Sequence, residues 1–378
     1  MKSRYLFVLA LGAATITPAL ALQALVTTRH WNGFPDSTVT VVNEAPRRLV
    51  IEDVNMQVQG GYWANQHFWQ VSRDGVNPVI LGIDDFFEFA FQVTLDSTSP
   101  VIPRKETGMR TFATPQGEGQ FMVASNNWGA VPTPGEIAVF AGGLPFHHFG
   151  NIGHLGRRYT FRLRTFLDPT DNQRYAQYFV DAMDSGPKWF DNLENGIENV
   201  RLGGWLQGAG TAALPHDMKA TWEKIRLRPW GTNVVSGTLS LEGFLGDITQ
   251  QPIEVQLRAP GTHTVVEELF TFVNANGAYS FQTSQVGQFD VVFKAERHLA
   301  DKVPNVTIST LPATGVNPSL LAGDVNDDNV VDLADFLILA ANYEVTPLLD
   351  PRGDVNWDGA CDLADFLLLA ANYDAAGD

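Results

Sequence analysis

Two stretches near the C-terminus space oxygen-bearing side chains as a hard divalent cation needs them. Residues 323–343 read GDVNDDNVVDLADFLILAANY and residues 353–373 read GDVNWDGACDLADFLLLAANY, with about three quarters of aligned positions identical. Calcium takes about 6–8 oxygens, and a loop of about 12 residues can supply them from its positions 1, 3, 5, 7, 9 and 12. In the first copy these positions hold Asp324, Asn326, Asp328, the carbonyl of Val330, Asp332 (acting through water) and Asp335. In the second they hold Asp354, Asn356, Asp358, the carbonyl of Ala360, Asp362 and Asp365. The pattern predicts two Ca²⁺ ions. Position 6 needs a sharp turn with positive φ, which Gly359 supplies in the second loop and Asn329, the next best residue, in the first. The second loop is therefore expected to be the better formed. Aspartate at the last position has a shorter arm than glutamate, which implies a small inward shift of the next element or a weaker bidentate contact.

Each loop runs into an apolar segment, Phe-Leu-(Ile/Leu)-Leu-Ala-Ala-Asn-Tyr, of short-helix length. No helix is expected to enter either loop, because Pro318-Ser319-Leu320 precede the first and Pro347 to Arg352 the second. A calcium loop followed by one helix, duplicated, resembles the type I dockerin with its EF-hand-like loops, over residues 320–378. The resemblance implies that the two helices pack together and that a cohesin-like protein is the partner. In cellulosomal dockerins loop positions 10 and 11 carry hydroxyl residues and the helix carries a basic pair, which together contact the cohesin. Here the matching residues are Leu333-Ala334 with Ala340-Ala341, and Leu363-Ala364 with Ala370-Ala371. The calcium chemistry carries over and the known cohesin specificity does not. Leu333, Ala334, Leu363 and Ala364 are read as an apolar partner-binding set, presented in two orientations by the near-identical copies. Packing between the two helices is an equally open role for them. Cys361, matched by Val331, stands where a small hydrophobe points inward and is expected to be an inert buried thiol.

Upstream, glycoside hydrolysis would require two carboxylates about 5–10 Å apart. No strand carries closely spaced acids on one face. Asp84, Asp85 and Glu88 come nearest, and Asp181 and Asp184 stand before a Ser185-Gly186-Pro187 turn. His147, His148 and His154 fall in a Gly- and Phe-rich segment read as a loop, without the rigid convergence of a zinc site. No nucleophile elbow or phosphate loop is present. Trp63, Trp69, Trp128, Trp189 and Trp205 are expected to be core for the most part, with one or two free to stack on a sugar.

The elements that would hold these residues are strands. Phe87, Phe89, Phe91, Val93 and Leu95 alternate with Glu88, Ala90, Gln92 and Thr94, the period-two mark of a half-buried strand. Trp222, Lys224, Arg226 and Arg228 alternate with Glu223, Ile225 and Leu227, a closing strand. Residues 22–230 are predicted to form a β-sandwich that is similar to the concanavalin A-like or laminin-G-like jelly rolls. Pro229 to Asn233 reads as a linker, and residues 234–317 as a second, Ig-like or prealbumin-like sandwich. Asn276-Gly277 signals a hairpin within it. The strings VSGTLSLEGF, GAYSF and GQFDV resemble the carboxypeptidase-regulatory-like modules, which imply a spacer. The fold class is thus mainly β: a jelly roll, a smaller sandwich, and a small helical calcium module.

A formal net charge of −17 excludes ordinary nucleic-acid binding, and from Gly323 onward Arg352 is the only Lys or Arg. One cysteine allows no internal disulfide. Lys2 and Arg4, the apolar run Tyr5 to Ile16, and Ala19-Leu20-Ala21 form an export signal over residues 1–21, with no membrane span left after its cleavage. The expected location is outside the cell or at its surface, in a bacterial setting. Two functions stay open: a non-catalytic binding or scaffold component of extracellular polysaccharide breakdown, with a polysaccharide ligand, and a dockerin-bearing glycoside hydrolase. The missing paired-acid strand favours the first.

Overall fold

The computed structural model describes residues 22–58, 64–82, 84–98, 104–115, 117–126, 134–140, 142–189, 197–209 and 215–378. The expected signal segment, Trp63 and Trp128 lie outside the described residues. Two antiparallel sheets stack face to face in the first sandwich. One runs β1 (Gln23–Asn32), β4 (Ala64–Ser72), β14 (Ile197–Ala209), β6 (Lys105–Pro115), β7 (Gly117–Ala124), β8 (Gly135–Phe140), β9 (His147–Gly153). The other runs β12 (Met183–Asp184), β11 (Gln173–Val180), β10 (Arg158–Asp168), β5 (Phe87–Asp96), β15 (His216–Pro229), β3 (Arg48–Met56), β2 (Thr38–Glu44), with β13 (Lys188–Trp189) beside β11. The core between them takes alternate residues, among them Trp69, Phe89, Phe91, Tyr159, Phe161 and Trp222. Trp69 meets Trp222 edge-on at 5.9 Å, and Phe121 stacks on Phe161 at 4.3 Å. Each such ring contributes about 1.5–3 kcal/mol by burial.

Two expectations about strand faces are corrected. The polar face of β5 is not solvated: Glu88, Ala90 and Gln92 are as buried as the phenylalanines, because the second sandwich lies on them. In β15 the simple alternation breaks at a bulge, where two residues, Lys224 and Ile225, oppose one on β5. Lys224 adopts φ 54° there. The bulge shifts the phase, so Trp222 points into the core while Arg226 and Arg228, of the same parity, point out.

The second sandwich has a four-stranded sheet, β19 (Val265–Thr271), β18 (Ile253–Arg258), β21 (Gly287–Lys294), β23 (Asp301–Ile308), and a β16 (Asn233–Thr238)–β20 (Ala278–Thr283) pair. The Asn276-Gly277 turn forms, with Gly277 at φ 75° and its N–H donating to Asn274 O. A Cβ at Gly277 would lie 2.4 Å from Leu239 O. The flanking strands share one bridge, Val273 with Tyr279, and then part into different sheets, so the turn is a crossover and not a full hairpin.

The outward arginines of the first sandwich grip the second. Glu88, 2% exposed, accepts from Arg164 and Arg228, and Arg228 also donates to Glu267 and to Gln282 O. Glu254 takes both Lys224 and Arg226, whose guanidinium lies 3.9 Å from the Phe270 ring. Burial alone would raise both carboxyls, yet the cations around them hold each down to about 2.

The tail holds two helices, Leu333–Asn342 and Leu363–Ala371, each opened by a capping box, Asp332 with Asp335 and Asp362 with Asp365. Val325, Val331, Leu339, Val355, Cys361 and Leu369 form its core. It is also stitched to the second sandwich. β24 (Ser319–Leu320) pairs with β17 (Ser240–Leu241), and β25 (Ala322–Asp324) with β22 (Arg297–His298).

Candidate functional site

Because the second sandwich covers the middle of the eight-stranded sheet, the outer face of the seven-stranded sheet is the first sandwich's candidate ligand surface. Strand pairing builds a polar row across it. β14 sets Gln207 beside Gln66 and Trp205 beside Phe68, and β6 sets Glu106 beside Gln207 on the other side. Gln66 Nε2 donates to Gln207 Oε1 at 2.7 Å, Arg110 Nη1 to Gln66 Oε1 at 3.1 Å, and Gln207 Nε2 to Glu106 Oε2 at 3.3 Å. Arg104 bridges Glu106 and Glu136, and Arg110 pairs with Glu118. Arg110 also lies over the rings of Phe68 and Phe112, 4.9 and 4.5 Å from their centroids. Trp205 is fully buried, and its Nε1 has no hydrogen-bond partner among the described residues. Solvent reaches the row at Glu118, Glu136 and His148, whose side chains are 35%, 22% and 41% exposed.

Burial raises the Glu106 carboxyl above its ordinary value, more strongly than Arg104 lowers it. Gln66, Glu106, Arg110, Trp205 and Gln207 are buried, so the groups that can meet a hydroxyl-bearing ligand are Glu118, Glu136 and His148, held in place by that row. Gln66 and Gln207 stand 141 positions apart, so their partnership leaves no local trace in the sequence. The charged residues Arg104, just before β6, and Glu106 and Arg110 within it, spaced by even numbers, were the available signal.

The acids singled out upstream have structural roles. Glu88 belongs to the inter-sandwich network. Asp84 pairs with Arg174, and Asp85 accepts from Gly82 N. Asp181 accepts from Thr160 N at 2.7 Å and pairs with Arg157, while Asp184 holds Gln177 and Gly186 N. His147 and His148 are in strand β9 and not in a loop. His147 meets Phe149 edge-on at 4.5 Å, and burial, Lys188 and His148 lower its pKa. His148 Nε2 lies 3.9 Å from Glu136, and His154 contributes its backbone N–H to Tyr159 Oη. Of the tryptophans, Trp69 and Trp205 are fully buried and Trp189 is 48% exposed.

In the tail, each loop folds over its own aspartates. Asp324 accepts from Asp328 N and Asn329 N, and Asp335 from Asn326 N and Asp332 N. The second loop repeats this with Asp354 accepting from Asp358 N and Gly359 N, and Asp365 from Asn356 N and Asp362 N. Asp335 and Asp365 are fully buried, and burial raises the carboxyls of Asp324 and Asp354. Asn329 sits at φ 71° and Gly359 at φ 95°. The first loop also meets lysines from both sandwiches: Lys294 reaches Asp324 at 2.5 Å and Asp327 at 3.0 Å, and Lys224 reaches Asp327 at 3.3 Å. Among the described residues no three His, Cys, Asp or Glu side chains converge as a ready-made metal cage. The donor chemistry, oxygen atoms on a tight loop ending in a buried carboxylate, fits a hard cation once the side chains close around it. The residues that could hold it are those named from the spacing.

Leu333 and Leu363 are each 56% exposed, as are Leu337 at 58% and Leu367 at 57%. Ala334 and Ala364 are exposed beside them. The leucines therefore do not face each other inside the module. Contact between the helices is made by Phe336 and Phe366, with ring centroids 6.3 Å apart. Cys361 is 2% exposed, and burial pushes its thiol up to about 11.

No family model matches the sequence, and no curated protein matches it. Among solved structures, a type II cohesin–X–dockerin complex from Acetivibrio cellulolyticus is 20% identical, covering 39% of this chain and 98% of that one, with a TM-score of 0.32. An alginate lyase from Corynebacterium sp. is 7% identical over 48% of this chain and 81% of that one, with a TM-score of 0.33. The carbohydrate recognition domain of Emp46p is 9% identical over 53% and 88%, with a TM-score of 0.30. Scores this low carry no functional argument, and function rests on the residues above.

Proposed function

We propose that the chain is a secreted, calcium-binding docking protein whose jelly roll binds carbohydrate on the outer face of the seven-stranded sheet. Its tail holds two Ca²⁺ through the twelve positions named from the spacing and presents Leu333, Ala334, Leu363 and Ala364 to a cohesin-like partner. Calcium there is structural: it gathers the loop oxygens and so fixes the start of each helix. The observation that carries the reading is the pair of matching loops, each burying its final aspartate at the start of a capped helix whose leucines stay exposed. The role is a component of extracellular polysaccharide breakdown or cell-surface assembly.

Affinity electrophoresis through gels containing soluble xylan, cellulose derivatives or alginate tests the sheet-face half. Retardation that His148→Ala and Glu136→Ala abolish supports it. Retardation by none of the polymers, or retardation that both variants leave intact, contradicts it.

A second reading, a glycoside hydrolase, is favoured by one observation: Glu106 and Glu136 both reach Arg104, and burial raises the first carboxyl. An acid with a raised pKa beside a more exposed carboxylate is the division of labour such an enzyme needs. Reducing-sugar release that Glu106→Gln eliminates, with melting unchanged, would establish it; no release from any of these polymers would dismiss it.

A further inference from the structure

A cavity of about 320 Å³ lies where all three modules meet. Its floor is the outer face of the eight-stranded sheet, through Gln92 and Thr160. Phe244, Asp247, Gln250, Gln251 and Pro252 of the second sandwich form one wall, and Trp357, from the second tail loop, forms another. This size is at the lower end of the roughly 300–1,000 Å³ usual for small-molecule sites.

Three buried polar atoms on its lining residues have no hydrogen-bond partner among the described residues: Gln92 Oε1, Gln251 Nε2 and Trp357 Nε1. Gln92 and Gln251 are each 4% exposed. An unpartnered buried polar group is costly, and each of these atoms is closed to solvent as it stands; a turn of the Gln92 or Gln251 amide, which carries both an acceptor and donors, is what meets a ligand in the cavity. The charges around them cancel in pairs: Arg157 with Asp181, and Arg158 with Glu296. Asp247 is committed to Thr249, whose N–H and hydroxyl both donate to it. Trp357 and Phe244 supply ring surface, with centroids 5.8 Å apart, and Arg297 fixes the indole from 3.9 Å.

We propose that this junction is a binding site for a neutral, hydroxyl-rich ligand of monosaccharide size, such as a single sugar unit. A hydroxyl both donates and accepts, which matches such an amide; an ionic ligand would have to break the existing charge pairs. The ring surface suits the apolar face of a sugar. Because Trp357 belongs to a calcium loop, and Asn356 O of that loop accepts from Leu245 N at 2.7 Å, an occupant here would bridge the tail to both sandwiches. The site shares no residue with the seven-stranded sheet face.

The test titrates the calcium-loaded full chain with glucose, galactose, mannose, xylose and glucuronate, followed by calorimetry and tryptophan fluorescence. At least one neutral sugar should bind in the millimolar range with a fluorescence change that Trp357→Phe removes. Gln251→Leu should weaken that binding about threefold to tenfold, the value of one hydrogen bond. It should also raise or preserve the melting temperature without sugar, because it deletes an unpartnered buried donor. His148→Ala, which alters the other surface, should change nothing here. No binding by any neutral sugar, tighter binding of glucuronate, or binding untouched by both Gln251→Leu and Gln92→Leu would overturn the proposal.

Discussion

Replacing Glu88 with Gln should uncouple the first two modules. The carboxylate is buried among Arg162, Arg164 and Arg228, and these cations hold its pKa down to about 2 against an ordinary 4.5. A depression of about 2.5 pH units corresponds to about 3 kcal/mol of folded-state stability at neutral pH. The folded value is the lower one, so the contribution is fully present above about pH 4.5 and is lost as pH falls through about 2. Breaking a buried pair from one side costs about 3–5 kcal/mol, which agrees. Urea unfolding of the wild type and Glu88→Gln at about pH 7 should show a gap of about 3 kcal/mol, shrinking to about 1 kcal/mol at about pH 3. A variant as stable as wild type at neutral pH, or a gap that does not narrow in acid, would refute the reasoning.

Three other substitutions or treatments probe the tail. Asn329→Gly relieves the left-handed strain but removes two bonds, from Ala300 N at 2.7 Å and to Asp378 O at 3.2 Å. At about 0.5–1.5 kcal/mol per bond the losses exceed the relief, so melting should fall and the first loop should not tighten as spacing alone suggests. Leu333→Ser with Leu363→Ser should shift calcium-loaded stability by no more than about 0.5 kcal/mol per site, checked by calorimetric melting. Cys361, buried and held up to about 11, should resist thiol reagents in the calcium-loaded chain and react after chelation, followed by absorbance with a disulfide reagent.

How far the sequence speaks depends on whether the relevant residues are near one another in the chain. The paired aspartate-rich loops and the apolar segments after them are local, and the alternation from Phe87 to Leu95 places β5 as a strand. What escapes is the phase of β15, because a bulge at Lys224 cannot be distinguished from regular alternation without the partner strand. The burial of Glu88 escapes as well: a polar strand face reads as solvated until another module is known to cover it. The seven-stranded face joins β4, β6 and β14 from distant parts of the chain, so Gln66, Glu106 and Gln207 show no common motif. Leu333 and Leu363 are ambiguous between core and surface until the helix orientation is known, and it is Leu339 and Leu369 that turn inward.

Isothermal titration of the chelator-treated full chain with Ca²⁺ decides whether the tail holds two calcium ions. Two equivalents should bind, one lost in Asp335→Ala and the other in Asp365→Ala, with circular dichroism showing the helices gained on titration. Absence of calcium heat from a chain that keeps its helices after chelation would contradict that binding.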